Sequence, residues 1–284
     1  MQQIVFATCN AAPDLQPGDR LVAAALERGG VRVVGAPWNG DPAAFRDADL
    51  VVVRSTWDYH EDADGFRAWI GDLASGGVRL LNSARLLRWN ISKSYLLDLA
   101  TAGAPLPPTL PVEPTATSIA AAMKKIGVED LVVKPLIGAT ASGLSRVRAG
   151  DEAAIEAAAV FLGGAGIVQP LIREVETEGE TSFIFFDGVF SHAVVKHPKT
   201  GDIRVQEEHG GRADAISPPA GAVAEMRSIL DLLPELPVYA RIDAILLDAG
   251  AQLMEVEVIE PELFFTKAPA GADRFADALR KRLK

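Results

Sequence analysis

The stretch from Tyr239 to Phe265 carries the densest chemistry in the chain, with carboxylates at Asp243, Glu255 and Glu257 and a guanidinium at Arg241. Both halves alternate polar and apolar residues, the pattern of two strands, and the turn between them falls at Asp248 to Gly250. Side chains two apart on a strand share a face. Glu255 and Glu257 therefore point together, as do Arg241 and Asp243, while Met254, Val256 and Val258 point the other way. Folding the two arms into a hairpin brings Asp243 near both glutamates. Three carboxylates on one face of an otherwise apolar sheet repel unless a cation sits among them. Mg²⁺ suits such a set: it is a hard ion that takes carboxylate oxygens at about 2.1 Å and shares them with nucleotide phosphates. A solvated strand face carrying salt bridges is the alternative for acidic pairs in general. Asp243, inside the run Arg-Ile-Asp-Ala-Ile-Leu-Leu, favours the metal.

Other polar groups are candidates for handling phosphate and nucleotide. Leu131 to Val147 reads as an apolar strand ending in Lys134, then a small-residue loop from Gly138 to Gly143, then another strand. Such a loop lets backbone N–H groups and the Thr140 and Ser142 hydroxyls close over phosphates, with Lys134 supplying positive charge. It is neither a P-loop nor a protein-kinase glycine loop. Taken alone, a Lys-Pro strand end is a weak signal, and Lys93 alone reads as a surface helix lysine. A strand that stops at Gln169 leaves backbone groups at Leu171 and Ile172 free to pair with an adenine edge. Glu180, opening the next strand, is either a ribose contact or a plain strand-end charge. Lys196, Arg204, His209 and Gly210 follow in one hairpin region, and no histidine spacing competes with the carboxylates for a metal.

These groups need a scaffold, and composition bounds it. The chain has 284 residues, 49% hydrophobic and 23% charged, the profile of a folded protein of about two domains. Twenty-eight Lys and Arg stand against 38 Asp and Glu, for a net charge of -10, so no basic face for nucleic acid is implied and an anionic membrane surface would repel it. Cys9 is the single cysteine, which excludes an intramolecular disulfide and a cysteine-based zinc site. The residues after Met1 lack a basic start and a long apolar core, so no signal peptide is expected, nor a membrane span; the expected compartment is the cytoplasm.

From Ile4 to about Asn82 the pattern alternates strands (Ile4 to Ala7, Arg32 to Ala36, Leu50 to Arg54, Arg79 to Leu81) with helices (Asp19 to Arg28, Ala63 to Ala74), a small parallel α/β layer. Ligands of such sheets bind beyond the carboxyl ends of the strands. Asn10 lies at one such end and Arg54-Ser55-Thr56 at another. Arg54 could hold a carboxylate by a bidentate pair and the two hydroxyls could add bonds; a loop-stabilising cluster is the alternative. After a helical stretch ending near Gly103, prolines 105, 107, 108, 111 and 114 stiffen a connector and mark a boundary.

Read together, Lys93, Lys134 with its loop, Gln169, Glu180, Lys196, Arg241, Asp243, Glu255 and Glu257 make the chain resemble the ATP-grasp enzymes, including glutathione synthetases, D-alanine–D-alanine ligases and ribosomal-protein glutamate ligases. The resemblance covers nearly the whole chain. It implies an α/β (α+β) fold of three units: 1–88 as an N-terminal parallel α/β substrate domain, 89–172 with the lysine and glycine loop, and 173–284 with an antiparallel sheet and metal carboxylates. It implies that Lys93 and Lys134 contact ATP phosphates, that Gly138, Thr140, Ser142 and Gly143 cover them, and that Gln169, Leu171, Ile172 and Glu180 hold adenine and ribose. Asp243, Glu255 and Glu257 would hold two Mg²⁺ ions, for which Mn²⁺ can stand in, with Arg241, Lys196 and Arg204 catalytic. Asn10, Arg54, Ser55, Thr56, His209 and Gly210 would meet a small amino acid-like substrate, in a homo-oligomer of two or more subunits. Glu257 departs from the pattern, since many members carry Asn there followed by a Ser-Pro-Gly turn.

Arg-Ser-Thr-Trp-Asp-Tyr-His, Arg88-Trp-Asn90 and the closing Glu-Pro-Glu-Leu-Phe-Phe are similar to the ATP-grasp cyclo-ligases of antibiotic biosynthesis that form D-cycloserine from O-ureido-D-serine. The activity implied is a carboxylate–amine ligase working through an acylphosphate, with ADP and phosphate released. An intermolecular ligase on another amino acid, a small-molecule kinase on the same scaffold, and a nucleotide-binding regulator without turnover are the alternatives.

Overall fold

The computed structural model describes residues 2–138, 144–199, 204–205 and 210–283. The expected residues Thr140, Ser142, Gly143 and His209 lie outside them. The chain is a mixed α/β protein built on three four- or five-stranded sheets.

The first sheet uses β1 (Gln3–Thr8), β2 (Arg32–Pro37), β3 (Leu50–Val53) and β4 (Leu80–Leu81), all parallel in the order β2-β1-β3-β4. β3 is Leu-Val-Val-Val with every residue buried, as a strand covered on both faces requires. Helices α1 (Pro17–Glu27), α2 (Ala43–Arg46), α3 (Ala63–Ser75) and α4 (Ala84–Asn90) connect and flank it. α1 starts on Pro17, whose missing N–H costs nothing in a first turn. α3 is capped by Asp62, which accepts from the Gly65 N–H at 2.9 Å.

Helix α5 (Tyr95–Thr101) follows, and it buries Tyr95, Leu96 and Leu99 against the C-terminal sheet. The central sheet is antiparallel, in the order β5-β8-β6-β7, from β5 (Leu110–Val112), β6 (Asp130–Pro135), β7 (Ser145–Arg148) and β8 (Gly166–Pro170). It packs one face on α6 (Ala116–Ile126) and α7 (Glu152–Leu162). α6 runs from a Thr115 cap to Gly127 at φ 80°, a left-handed position that glycine adopts without a Cβ clash.

The third sheet is antiparallel in the order β11-β10-β9-β12-β13, from β9 (Glu180–Phe186), β10 (Val189–His197), β11 (Arg212–Ile216), β12 (Tyr239–Leu247) and β13 (Gly250–Glu257). α8 (Ala220–Ile229) packs on one face. The last helix, α9 (Ala270–Arg280), returns to the first sheet, where Phe275, Ala276 and Leu279 share a core with Ile4, Phe6, Val22 and Leu26. Tyr239 ties the two ends of the chain together: its buried hydroxyl lies 2.9 Å from the carbonyls of Val53 and Ile259. Among the described residues no helix is long and apolar enough to cross a membrane.

Candidate active site

The β12–β13 hairpin pairs Leu247 with Gly250 and holds that register as far as Ala244 opposite Leu253. Continued unbroken, it would set Asp243 opposite Met254. Directly opposed residues share a face, so both glutamates would then lie on the far side of the sheet from Asp243. Instead the register shifts by one residue between Ala244 and Asp243, which places Asp243 opposite Glu255 and Arg241 opposite Glu257. The extra residue is Met254, the unpaired member of a β-bulge. Beyond it, ligand oxygens of Asp243, Glu255 and Glu257 all lie within 4.8 Å of one another.

The rest of this face follows from strand pairing. Asp243 is opposite Ser182 on β9, and Glu180 two residues earlier is opposite Lys196 on β10. The Ser182 hydroxyl donates to Asp243 Oδ1 at 2.6 Å, and Lys196 Nζ reaches Asp243 at 3.1 Å and Glu180 at 2.6 Å. Arg241 meets Asp243 at 2.9 Å and also pairs with Glu257.

β13 is an edge strand, and its outer edge is closed by side chains rather than by another strand. Asn90 Nδ2 donates to the Val256 carbonyl at 2.8 Å, and the Val258 N–H donates to Asn90 Oδ1 at 3.0 Å. The Val256 N–H donates to the Tyr95 hydroxyl at 3.1 Å, and Asn82 Nδ2 donates to the Val258 carbonyl at 2.8 Å. The same segment delivers Lys93, which ion-pairs with Glu255. Asn82, Asn90 and Tyr95 are site-building residues that a search for charge and metal-ligand spacing passes over. Asn90 and Tyr95 sit at the ends of short helical segments and Asn82 in the bend after β4, with no charge or ligand spacing to mark them.

The electrostatics sort the three carboxylates. Burial pushes Asp243 upward, yet Arg241 and Lys196 overcome it and bring its pKa down to about 2. Glu255 is likewise raised by burial and brought below the usual carboxylate range by Lys93 and Lys134. Glu257 goes the other way, because burial and the adjacent Glu255, Asp243 and Glu260 outweigh Arg241 and push it up to about 8. Asp243 is 2% exposed, whereas the side chains of Glu255 and Glu257 are 29% and 23% exposed, toward an open cleft. Three converging oxygen donors, one of them held above the usual carboxylate range by burial and its acidic neighbours, suit a hard divalent cation. Lys134 has its pKa lowered, first by burial and also by Lys93, and donates to Gln169 at 2.9 Å.

These groups share a cleft of about 420 Å³. Of the expected residues, Lys93, Lys134, Gly138, Glu180, Lys196, Arg204, Arg241, Glu255 and Glu257 line it. Trp57, Tyr59, Asn90, Tyr95, Glu260 and Glu262 line it too, without having been expected there. Ile172 sits apart in a small apolar cluster with Val175, Val205, Ile245 and the bulged Met254. Leu171 differs from the expectation, since its N–H is taken by the Asp130 carbonyl at 3.1 Å, and the Ile172 carbonyl accepts from Val175.

The substrate residues read from the N-terminal unit need more correction. Arg54 presents no open fork to a carboxylate: it is 4% exposed, its Nε is bound to Asp19 at 2.8 Å and its Nη1 to the Pro261 carbonyl at 3.1 Å. It holds the two ends of the chain together. Thr56 is fully buried and outside the cleft, while Asn10 and Gly210 are exposed and do not line it. Ser55 opens instead onto a side cavity next to the cleft.

Comparison with known proteins agrees with this architecture. A family profile described as "D-cycloserine synthetase DcsG, N-terminal domain" matches residues 4–82. The cycloserine biosynthesis protein DcsG of Streptomyces lavendulae is 31% identical over 274 residues, 90% of this chain and 90% of that protein. The crystal structure of D-cycloserine synthetase DcsG superposes with a TM-score of 0.87 at 27% identity, covering 99% of this chain and all of the other. An ATP complex of D-alanine–D-alanine ligase from Bacillus anthracis shares the fold with a TM-score of 0.72 at 18% identity, over 99% of each chain. With a relative this similar over nine-tenths of its length and a carboxylate-and-lysine cleft on the shared scaffold, the chain belongs to the DcsG family of ATP-grasp ligases.

Proposed function

We propose that the chain uses ATP to activate a substrate carboxylate as an acylphosphate, and that a nitrogen of the same molecule then closes the ring, turning O-ureido-D-serine into D-cycloserine. One observation carries the reading: Glu255 and Glu257 line one cleft with Lys93, Lys134, Lys196 and Arg241, and the buried Asp243 brings a ligand oxygen within 4.8 Å of theirs. A carboxylate is a poor electrophile and its charge repels the triphosphate. The cations of this cleft lower that repulsion and hold the two anions together. Mg²⁺ held by Asp243, Glu255 and Glu257 would supply further charge neutralisation on the phosphates. The carboxylate oxygen bonds to the γ-phosphorus as the bond to ADP breaks. The oxygen-bound nitrogen of the ureido group then bonds to the acyl carbon as phosphate leaves and its proton passes to solvent. Water cleaves the carbamoyl group from that nitrogen as carbamic acid, which breaks down to carbon dioxide and ammonia. With nucleophile and electrophile in one bound molecule, positioning supplies a high effective molarity. Arg241, locked by Asp243 and Glu257, is placed to stabilise charge on the transferring group. The 31% identity to the cycloserine biosynthesis protein supports the substrate.

Product analysis tests it. O-ureido-D-serine with Mg·ATP and water should yield ADP, inorganic phosphate, D-cycloserine, carbon dioxide and ammonia. AMP with pyrophosphate refutes acylphosphate chemistry, and ADP with phosphate retained on the substrate makes the protein a kinase.

A further inference from the structure

Beside the cleft lies a side cavity of about 10 Å³, room for one water-sized group. Its walls include Ser55, Arg54, Asp19, Glu260 and Glu262. Glu260, Glu262, Trp57, Gln16 and Gly18 line the cleft as well, so a group in the cavity is continuous with a molecule in the cleft. The Ser55 hydroxyl is buried, 1% exposed at the residue, and has no hydrogen-bond partner among the described residues. A buried hydroxyl without a partner has given up its bonds to water for nothing, a cost that a bound group removes.

The wall charges decide what that group is. The Arg54 guanidinium is already neutralised by Asp19. Glu260 and Glu262 add two carboxylates, and Glu262 Oε1 is fixed by the Phe264 N–H at 2.7 Å. An anion would meet them at close range. A water would satisfy Ser55 but leave the negative charge uncompensated. A primary ammonium has the size of a water, three donors and the complementary charge. The loop also touches the reaction centre, since Arg241 Nη1 reaches the Glu262 carbonyl at 3.4 Å. We propose that Ser55, Glu260 and Glu262 form the pocket for the substrate's protonated amine, and that they select amino acids over otherwise equal carboxylic acids. This assignment rests on the ligase reading above. Burial supports it: it pushes Glu260 up to about 7 against the pull of Arg241 and Lys93, and raises Glu262 against the pull of Arg54, a strain that a bound cation relieves.

Two probe pairs test it on the full chain with Mg²⁺ and a non-hydrolysable ATP analogue: O-ureido-D-serine against 3-(ureidooxy)propanoic acid, and D-serine against 3-hydroxypropanoic acid. Calorimetry reads affinity, and phosphate release with ATP reads turnover. The wild-type protein should bind the amine-bearing member of at least one pair on the order of a hundredfold tighter, and Ser55→Ala, Glu260→Gln and Glu262→Gln should each compress that ratio to about tenfold or less. A wild-type ratio near one, meaning that the cavity holds only water, overturns the proposal. So does a ratio that survives the substitutions, or a failure of every amine-bearing acid to bind. Amine-selective binding without ADP release keeps the pocket and refutes the ligase reading instead. Ser55→Ala removes an unpartnered hydroxyl and should melt no lower than wild type, so the test stands even if a glutamine variant fails to fold.

Discussion

Asn90→Ala is the sharpest test of how the metal-binding face is held. The side chain is 7% exposed and touches no expected ligand, yet it makes two hydrogen bonds to the backbone of β13, at Val256 and Val258. These residues flank Glu257. Truncation leaves one carbonyl and one N–H without partners in a place that water reaches poorly, at about 1–3 kcal/mol each. The loss of stability should total about 2–6 kcal/mol, a fall in Tm of roughly 4–24 °C for a chain of this size. The edge strand should also loosen where Glu255 and Glu257 must hold their oxygens together, so Mg²⁺ affinity should fall about tenfold, the scale for removing a supporting partner of a metal ligand. Thermal melts with and without Mg²⁺, and calorimetric Mg²⁺ titration, read both effects. A Tm within about 2 °C of wild type, or full Mg²⁺ affinity in the folded variant, would refute the claim that side chains from the 90–95 segment close this sheet edge.

Glu255→Gln and Asp243→Asn should each abolish ATP-dependent phosphate release while the fold persists by circular dichroism, and near-normal turnover in either contradicts the metal assignment. Lys134→Ala removes a buried countercharge and should weaken ATP binding by roughly tenfold or more, measured by nucleotide titration. Glu257, pushed up to about 8, keeps its proton in the metal-free fold at pH values where the unfolded chain has lost it. Its contribution to stability should therefore fall as pH rises from the ordinary glutamate range toward 8. Mg²⁺ binding near pH 7 should release a proton, read as a dependence of the calorimetric heat on buffer ionisation enthalpy. A heat independent of buffer would contradict it.

Much of the site could be read from local spacing alone. Alternation on a strand makes Glu255 share a face with Glu257 and Arg241 with Asp243, whatever the strands pair with. The apolar run before Lys134 and the charges at Glu180 and Lys196 needed only strand periodicity. Which faces coincide across the hairpin is a different matter, because a shift of one residue inverts it, and the bulge at Met254 is what puts Asp243 with the two glutamates. Likewise Arg54 looked like a ligand residue because arginine at a strand end often is one, and nothing local foretold Asp19, 35 residues earlier, as its partner. Asn90 falls in a segment that carries the family resemblance, but nothing local shows what it or Tyr95 does, since their roles exist only once α4 and α5 lie along β13. The chain by itself determined which chemical groups are present and which neighbours share a side. Tertiary structure decided register, edge closure and the pairing of buried charges, because each of these balances contacts between segments whose separation along the chain no periodicity encodes.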